Sequence, residues 1–272
     1  MRTHSVIRRT TLLAVVLLFA LLAGAACVPA AAPAETGAAP AAPTTGGVLR
    51  IGLDVDAGTG DPRLARDTSA FRLRELVFDG LVEVQPDYSP MPSLALSWEN
   101  PDDLTWIFKL RQGVKFHNGD ELTAADVKYT FDTILDESFA SPSRSFFIPI
   151  TAVDVIDDYT VQFTLDQPYG PFLSYLTMGI VPKSVAEADP EGFANSPVGT
   201  GPFKFVEWKR GDSITLEAND DYWNGRPKLD GIEIKVVPDN SARVVALEAG
   251  DLDLAQSPLS PQDVKRMETT AG

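Results

Sequence analysis

The stretch from Asn195 to Ala255 constrains the fold more than any other part of this chain. It sets turn, strand and helix signals in a fixed order. Gly199-Thr-Gly-Pro202 is a tight turn, because the proline that follows the second glycine cannot open a helix over a bound phosphate. Phe203 to Lys209 and Ser213 to Ala218 have strand character and are joined at Arg210-Gly211-Asp212. Ile232 to Val237 alternates apolar and charged residues, the pattern of a half-buried strand. Ser241 to Ala249 reads as a helix that Gly250 stops, and Asp251 to Leu254 as a short strand. Ser260-Pro261 opens a further helix with proline at its first position.

The residues upstream interleave the same kinds of element. Val48 to Leu53 is an apolar run that reads as a strand. Asp54 to Arg66 is a loop rich in Gly, Asp and Pro; its Asp54-x-Asp56-x-Gly58 spacing imitates a calcium loop, but Thr59 and Ala65 stand where glycine and glutamate are needed. Thr68 to Leu81 has apolar residues at helical spacing, with Gly80 as its expected C-cap. Leu104 to Leu110 alternates as a strand, and Val114 to Asp120 ends in an Asn118-Gly119 turn. Thr123-Ala-Ala-Asp126 is a capping pattern, and Val127, Phe131, Ile134 and Leu135 behind it form one helix face. A hairpin over Val153 to Leu165 turns at Asp157-Asp158, and a short helix covers Pro171 to Leu176. The expected class is α/β, a mixed sheet with β-hairpins, and not a doubly wound sheet.

Residues 1–27 have the form of a secretory signal: Arg2, Arg8 and Arg9, then an apolar run from Thr11 to Ala23, then small residues up to Cys27. The cysteine directly after those small residues resembles a lipoprotein lipobox, although Gly24 stands where leucine is usual. Cys27 is the candidate lipidation site, with an incidental cysteine as the alternative. Residues 28–47 are almost wholly Ala, Pro, Thr and Gly, the composition of a disordered tether.

Composition removes several classes of function. The formal net charge is −15, which disfavours nucleic acid as a partner. One cysteine and two histidines leave no Cys- or His-rich metal site, so no metal and no cofactor is expected. His117 lies beside an Asn-Gly turn with no nucleophile elbow in the chain, and it reads as structural. No paired carboxylates stand out, so no enzyme is expected.

Four segments carry a family resemblance. They are Val77-Phe-Asp-Gly-Leu-Val82 with Pro92-Ser-Leu-Ala-Leu-Ser-Trp-Glu99, Thr105 to Asp120 with Leu122 to Phe131, Val198-Gly-Thr-Gly-Pro-Phe-Lys-Phe205, and Asp221 to Asp253. Together they make the chain resemble the family 5 extracytoplasmic solute-binding proteins of ABC importers, the peptide, dipeptide and nickel-binding group. The resemblance implies a type II periplasmic-binding-protein-like fold in which two lobes close on a ligand. Lobe one is expected over 48–255, as 48–80 and 190–255 with an inserted subdomain at about 81–185. Residues 256–272 are expected to be a crossover and the first helix of lobe two, with the rest of that lobe missing by C-terminal truncation.

By the same resemblance, ligand contacts are expected from Arg66, Asp67 and Thr68, and from Ser143, Arg144, Phe146 and Phe147 in the subdomain loop. The plainer alternatives are core packing for the two phenylalanines and a solvated charge for Arg144. Trp98, Tyr222 and Trp223 read as core anchors. The implied function is a lipid-anchored, monomeric extracytoplasmic component that captures a peptide or similar solute and hands it to an ABC permease and ATPase complex. The alternative is a one-lobe surface interaction or scaffold protein without ligand capture.

Overall fold

The computed structural model describes residues 45–256 and 258–270. The expected signal, the Cys27 lipobox and all but the last three residues of the expected tether lie outside the described residues. Two of those three, Gly46 and Gly47, are held in place, unlike a free tether. The Gly46 N–H donates to the Lys228 carbonyl at 2.7 Å, and the Gly47 N–H to Asp230 Oδ2 at 2.8 Å. Gly46 and Gly47 have φ of +98° and +84°, which suits glycine.

The first elements are β1 (Val48–Leu53) and α1 (Thr68–Val77). Then come β2 (Val82–Val84), β3 (Pro90–Pro92), β4 (Ala95–Asp102), β5 (Thr105–Leu110), α2 (Ala124–Leu135), β6 (Ile150–Asp157) and β7 (Thr160–Leu165). Three short helices follow, α3 (Phe172–Tyr175), α4 (Lys183–Ala186) and α5 (Pro190–Asn195). The last part holds β8 (Phe203–Lys209), β9 (Ser213–Ala218), β10 (Gly231–Val236), α6 (Asn240–Ala249), β11 (Leu254–Ala255) and α7 (Pro261–Thr270). The class is mixed α/β.

Two sheets organise two cores. The five-stranded sheet has the order β11-β1-β10-β9-β8, with β1 parallel to both β10 and β11 and the other pairs antiparallel. Its core joins Ile51, Leu53, Ile214, Leu216, Ile232 and Ile234 to Leu73 and Val77 of α1. The four-stranded sheet, β4-β5-β7-β6, is antiparallel throughout. Val127, Phe131 and Ile134 of α2 pack in its core with Phe108, Phe163 and Phe172. The Phe131 and Phe163 rings meet edge to face at 5.1 Å, a favourable aromatic geometry. The capping box at Thr123 and Asp126 is present.

Two sequence expectations need correction. First, α1 ends at Val77, not Leu81, and Phe78 is extended. The Gly199-Thr-Gly201 turn abuts the helix end, where the Gly201 N–H donates to the Val77 carbonyl at 2.9 Å. A Cβ at Gly199 would lie 2.0 Å from that carbonyl oxygen, so only glycine lets the turn approach. Gly80 likewise permits close approach, to the Leu176 carbonyl, and is not the helix cap. Second, the strand expected over Asp251 to Leu254 forms at Leu254–Ala255, because Leu252 is buried against Gly52. The strand β4 has no counterpart among the sequence expectations: no period-two pattern announces it, and its pairing with β5 is interrupted by two register shifts.

Candidate functional site

The N-terminal turn of α1 faces the loop that carries Ser143 to Phe147, and a cavity of about 390 Å³ lies between them. Thr68, Ser143, Phe146 and Phe147 line it, together with Arg72, Arg74 and Tyr175. Four of the seven sequence-predicted contact residues are therefore brought together. The other three are engaged elsewhere. Asp67 caps α1, accepting from the Ala70 N–H at 2.8 Å and from the Gly58 N–H at 3.1 Å. Arg66 is exposed and donates to the Ala140 carbonyl at 3.4 Å. Arg144 donates to the Leu135 carbonyl and to Glu137, each at 2.9 Å, which ties the loop to the end of α2.

The two phenylalanines differ. Phe147 is 2% exposed and meets Phe131 edge to face at 5.2 Å, so its ring belongs mainly to the second core. Phe146 is 45% exposed and stacks on Tyr175 at 4.7 Å, leaving a ring face at the cavity. Ser143 is buried, and its N–H donates to Ser141 Oγ, which in turn donates to the Arg63 carbonyl at 2.6 Å. The cavity wall is thereby fixed to the loop preceding α1.

A second cavity, of about 470 Å³, adjoins the first and shares Arg74, Glu75 and Thr177 with it. Asp79 and Tyr222 are in its wall. Asp79 receives three side-chain donors: Thr200 Oγ1 at 2.9 Å, Tyr222 OH at 3.0 Å and Trp223 Nε1 at 2.8 Å. Burial raises the pKa of Asp79, and the three donors oppose that rise. Burial, then the Asp79 charge, push the Tyr222 phenol up. Tyr222 and Trp223 thus act as anchors that pin their loop to the end of α1, and Trp98 packs on Phe108 at 6.2 Å.

His117 joins the same turn from the other side. Gly199 N–H donates to its Nδ1 at 3.3 Å, so the proton sits on Nε2, which donates to the Gly201 carbonyl at 3.0 Å. Burial lowers its pKa to about 4.

Arg72, Arg74 and Tyr175 are among the lining residues that no sequence signal singled out. Arg74 lies four residues after Ala70 and one after Leu73, on the flank of the apolar stripe of α1, where a cation is half-buried. Among the described residues no group of three or more His, Cys, Asp or Glu side chains could hold a metal ion, and no helix is long and apolar enough to cross a membrane. The concave site thus combines aromatic rings, hydroxyls and a few cations.

The family model for bacterial extracellular solute-binding proteins, family 5 Middle, matches residues 89–272. The oligopeptide-binding protein AppA of Bacillus subtilis is 35% identical over 231 residues, which are 79% of this chain and 42% of the relative. The periplasmic binding protein DppA from Helicobacter pylori, solved in complex with the peptide STSA, superposes with a TM-score of 0.77 at 31% identity, over 83% of this chain and 49% of that one. NikZ from Campylobacter jejuni, solved in complex with Ni(L-His), gives a TM-score of 0.70 at 30% identity, over 75% of this chain and 42% of that one. The chain spans somewhat under half the length of these relatives.

Proposed function

We propose, from the premise that this chain belongs to the bacterial extracellular solute-binding proteins of family 5, that it captures a peptide or similar solute and delivers it to an ABC permease and ATPase complex. The observation that carries this reading is the cavity between Thr68 and the Ser143–Phe147 loop, because it combines an exposed aromatic face with hydroxyls and arginines. Such a mixture fits a solute with apolar side groups and charged or hydrogen-bonding ends. The relatives add weight: the H. pylori protein was solved with a peptide and the C. jejuni protein with a nickel–histidine complex.

On this reading, residues 48–80 and 190–255 form a first lobe, residues of about 81–185 a subdomain set into it, and residues 256–272 the crossover toward a second lobe. Two separate cores support the division. One draws on residues between Leu81 and Ile180, and the other resumes at Val181. Lipidation at Cys27 would hold this monomer at the outer face of a membrane, each buried CH₂ of the acyl chains contributing about 0.8 kcal/mol.

The test is a thermal-shift screen of the product of the complete reading frame against tri- and tetrapeptide, oligosaccharide and metal-chelate pools. A pool that raises the melting temperature in a saturable way supports solute capture and names its class. No rise with any pool contradicts it.

A further inference from the structure

The two cavities meet at one cation. Arg74 lines both, and Thr177 and Glu75 are the other side chains they share. Its guanidinium carbon stands 5.2 Å from the centroid of the Phe71 ring, which supports one side of the cation. Nothing accepts a hydrogen bond from that guanidinium, and no carboxylate lies within ion-pairing distance among the described residues. Glu75, the neighbouring acid, is already paired with Arg72 at 2.9 Å.

The other described arginines are engaged. Arg50 is paired with Asp253, Arg63 with Asp61, Arg144 with Glu137, Arg226 with Asp220 and Asp230, and Arg266 with Glu248. Arg66, Arg111, Arg210 and Arg243 donate to backbone or amide oxygens. A half-buried guanidinium without a partner has lost part of its hydration with no compensating bond, and burial accordingly lowers its pKa.

We propose that Arg74 is a specificity-determining residue whose guanidinium binds a carboxylate of the captured solute at the junction of the two cavities. This rests on the reading that the cavity beside Thr68 holds the solute. A planar guanidinium braced on one face by an aromatic ring keeps its N–H edge free, the geometry that takes a carboxylate with two parallel hydrogen bonds. The carboxylate is either the C-terminus of a peptide or an acidic side chain.

The test uses the product of the complete reading frame labelled with ¹⁵N-arginine and follows the Arg74 Nε–H resonance, assigned by its loss in Arg74→Lys. Sodium propionate is the first probe, with sodium chloride as the control for ionic strength. The expected result is a saturable shift of the Arg74 resonance that chloride does not reproduce. Trialanine, its C-terminal amide and amidated Ala-Glu-Ala are the second set of probes. Trialanine is expected to bind about tenfold or more tighter than its amide, a preference lost in Arg74→Gln. Tighter binding of amidated Ala-Glu-Ala than of amidated trialanine, also lost in Arg74→Gln, assigns the carboxylate to a side chain and likewise supports the proposal.

A propionate shift that does not saturate, or a carboxylate preference that survives Arg74→Gln, overturns it. If none of the peptides binds, the propionate arm still decides the role of Arg74, while the solute-capture reading is the one that fails for peptides.

Discussion

Arg63 grips Asp61 with two parallel bonds, Nη2 to Oδ2 at 2.7 Å and Nε to Oδ1 at 3.0 Å, and both side chains are closed to solvent. Arg63 Nη1 also donates to Thr133 Oγ1 of α2 at 3.0 Å, and the guanidinium lies 4.7 Å from the centroid of the Phe139 ring. Burial alone would lower the Arg63 pKa, but Asp61 and, to a lesser degree, Tyr129 together outweigh it and the net shift is upward. One buried cation therefore ties the loop before α1 to the helix that packs on the four-stranded sheet.

Breaking that pair leaves an uncompensated buried charge. Asp61→Asn is expected to cost about 3–5 kcal/mol of unfolding free energy, and the double variant Asp61→Asn, Arg63→Met less than the sum of the two single variants. Urea denaturation of the three variants measures this. Strict additivity would show that the two groups are not coupled.

The donors on Asp79 make a second test. Trp223→Phe keeps an aromatic ring but removes the pyrrole half of the indole, and with it the Nε1–H that reaches Asp79 Oδ2 at 2.8 Å. The expected loss is roughly 1.5–3 kcal/mol, the range for a hydrogen bond to a charged group. Stability unchanged within error would mean that the anchor is formed by packing alone.

His117 gives the fold a pH dependence with a definite sign. Its folded pKa of about 4 lies below the ordinary 6.5, so between those values the unfolded chain binds more protons. The associated stability is fully present above pH about 6.5 and is lost as pH falls toward about 4, by at most about 3 kcal/mol. Denaturation midpoints from pH 7 down to 5 should fall more steeply for the native chain than for His117→Gln. Parallel slopes would contradict the assignment.

Phe146 and Phe147 are adjacent but should behave oppositely. Phe147→Ala empties a core position and is expected to cost about 3–5 kcal/mol. Phe146→Ala removes an exposed ring and should leave stability within about 1 kcal/mol while weakening solute binding. Denaturation curves and a binding isotherm for each variant separate the two roles.

The elements legible in sequence are those whose signals are local. The hairpin turning at Arg210-Gly211-Asp212, the capping box at Thr123 and the Gly250 stop each depend on residues a few positions apart. The features that escaped depend on distant partners. The end of α1 is set by a glycine turn 120 residues later, which helical periodicity across Val77 to Leu81 could not show. At the site, the loops named from family resemblance gave Thr68, Ser143, Phe146 and Phe147 at one cavity. Asp67 and Arg144 also had the right chemistry and position, but capping and ion-pairing claim their side chains. Arg74 carries no local signal of this kind, because an arginine beside an apolar stripe usually pairs with an acid, and only the packed structure shows its neighbour Glu75 already held by Arg72.

The most direct test of solute capture between α1 and the Ser143–Phe147 loop is the ligand-induced rise in melting temperature, compared between the native chain and Thr68→Trp. Thr68 is exposed, so the indole should fill the cavity without unfolding the helix. With a bound pool at a hundredfold excess over its Kd, the native protein should gain about 2.7 kcal/mol, a rise of roughly 5–10 °C. This rise is expected to be abolished in Thr68→Trp while the ligand-free melting temperature is unchanged; an equal rise in both proteins would contradict solute capture at this cavity.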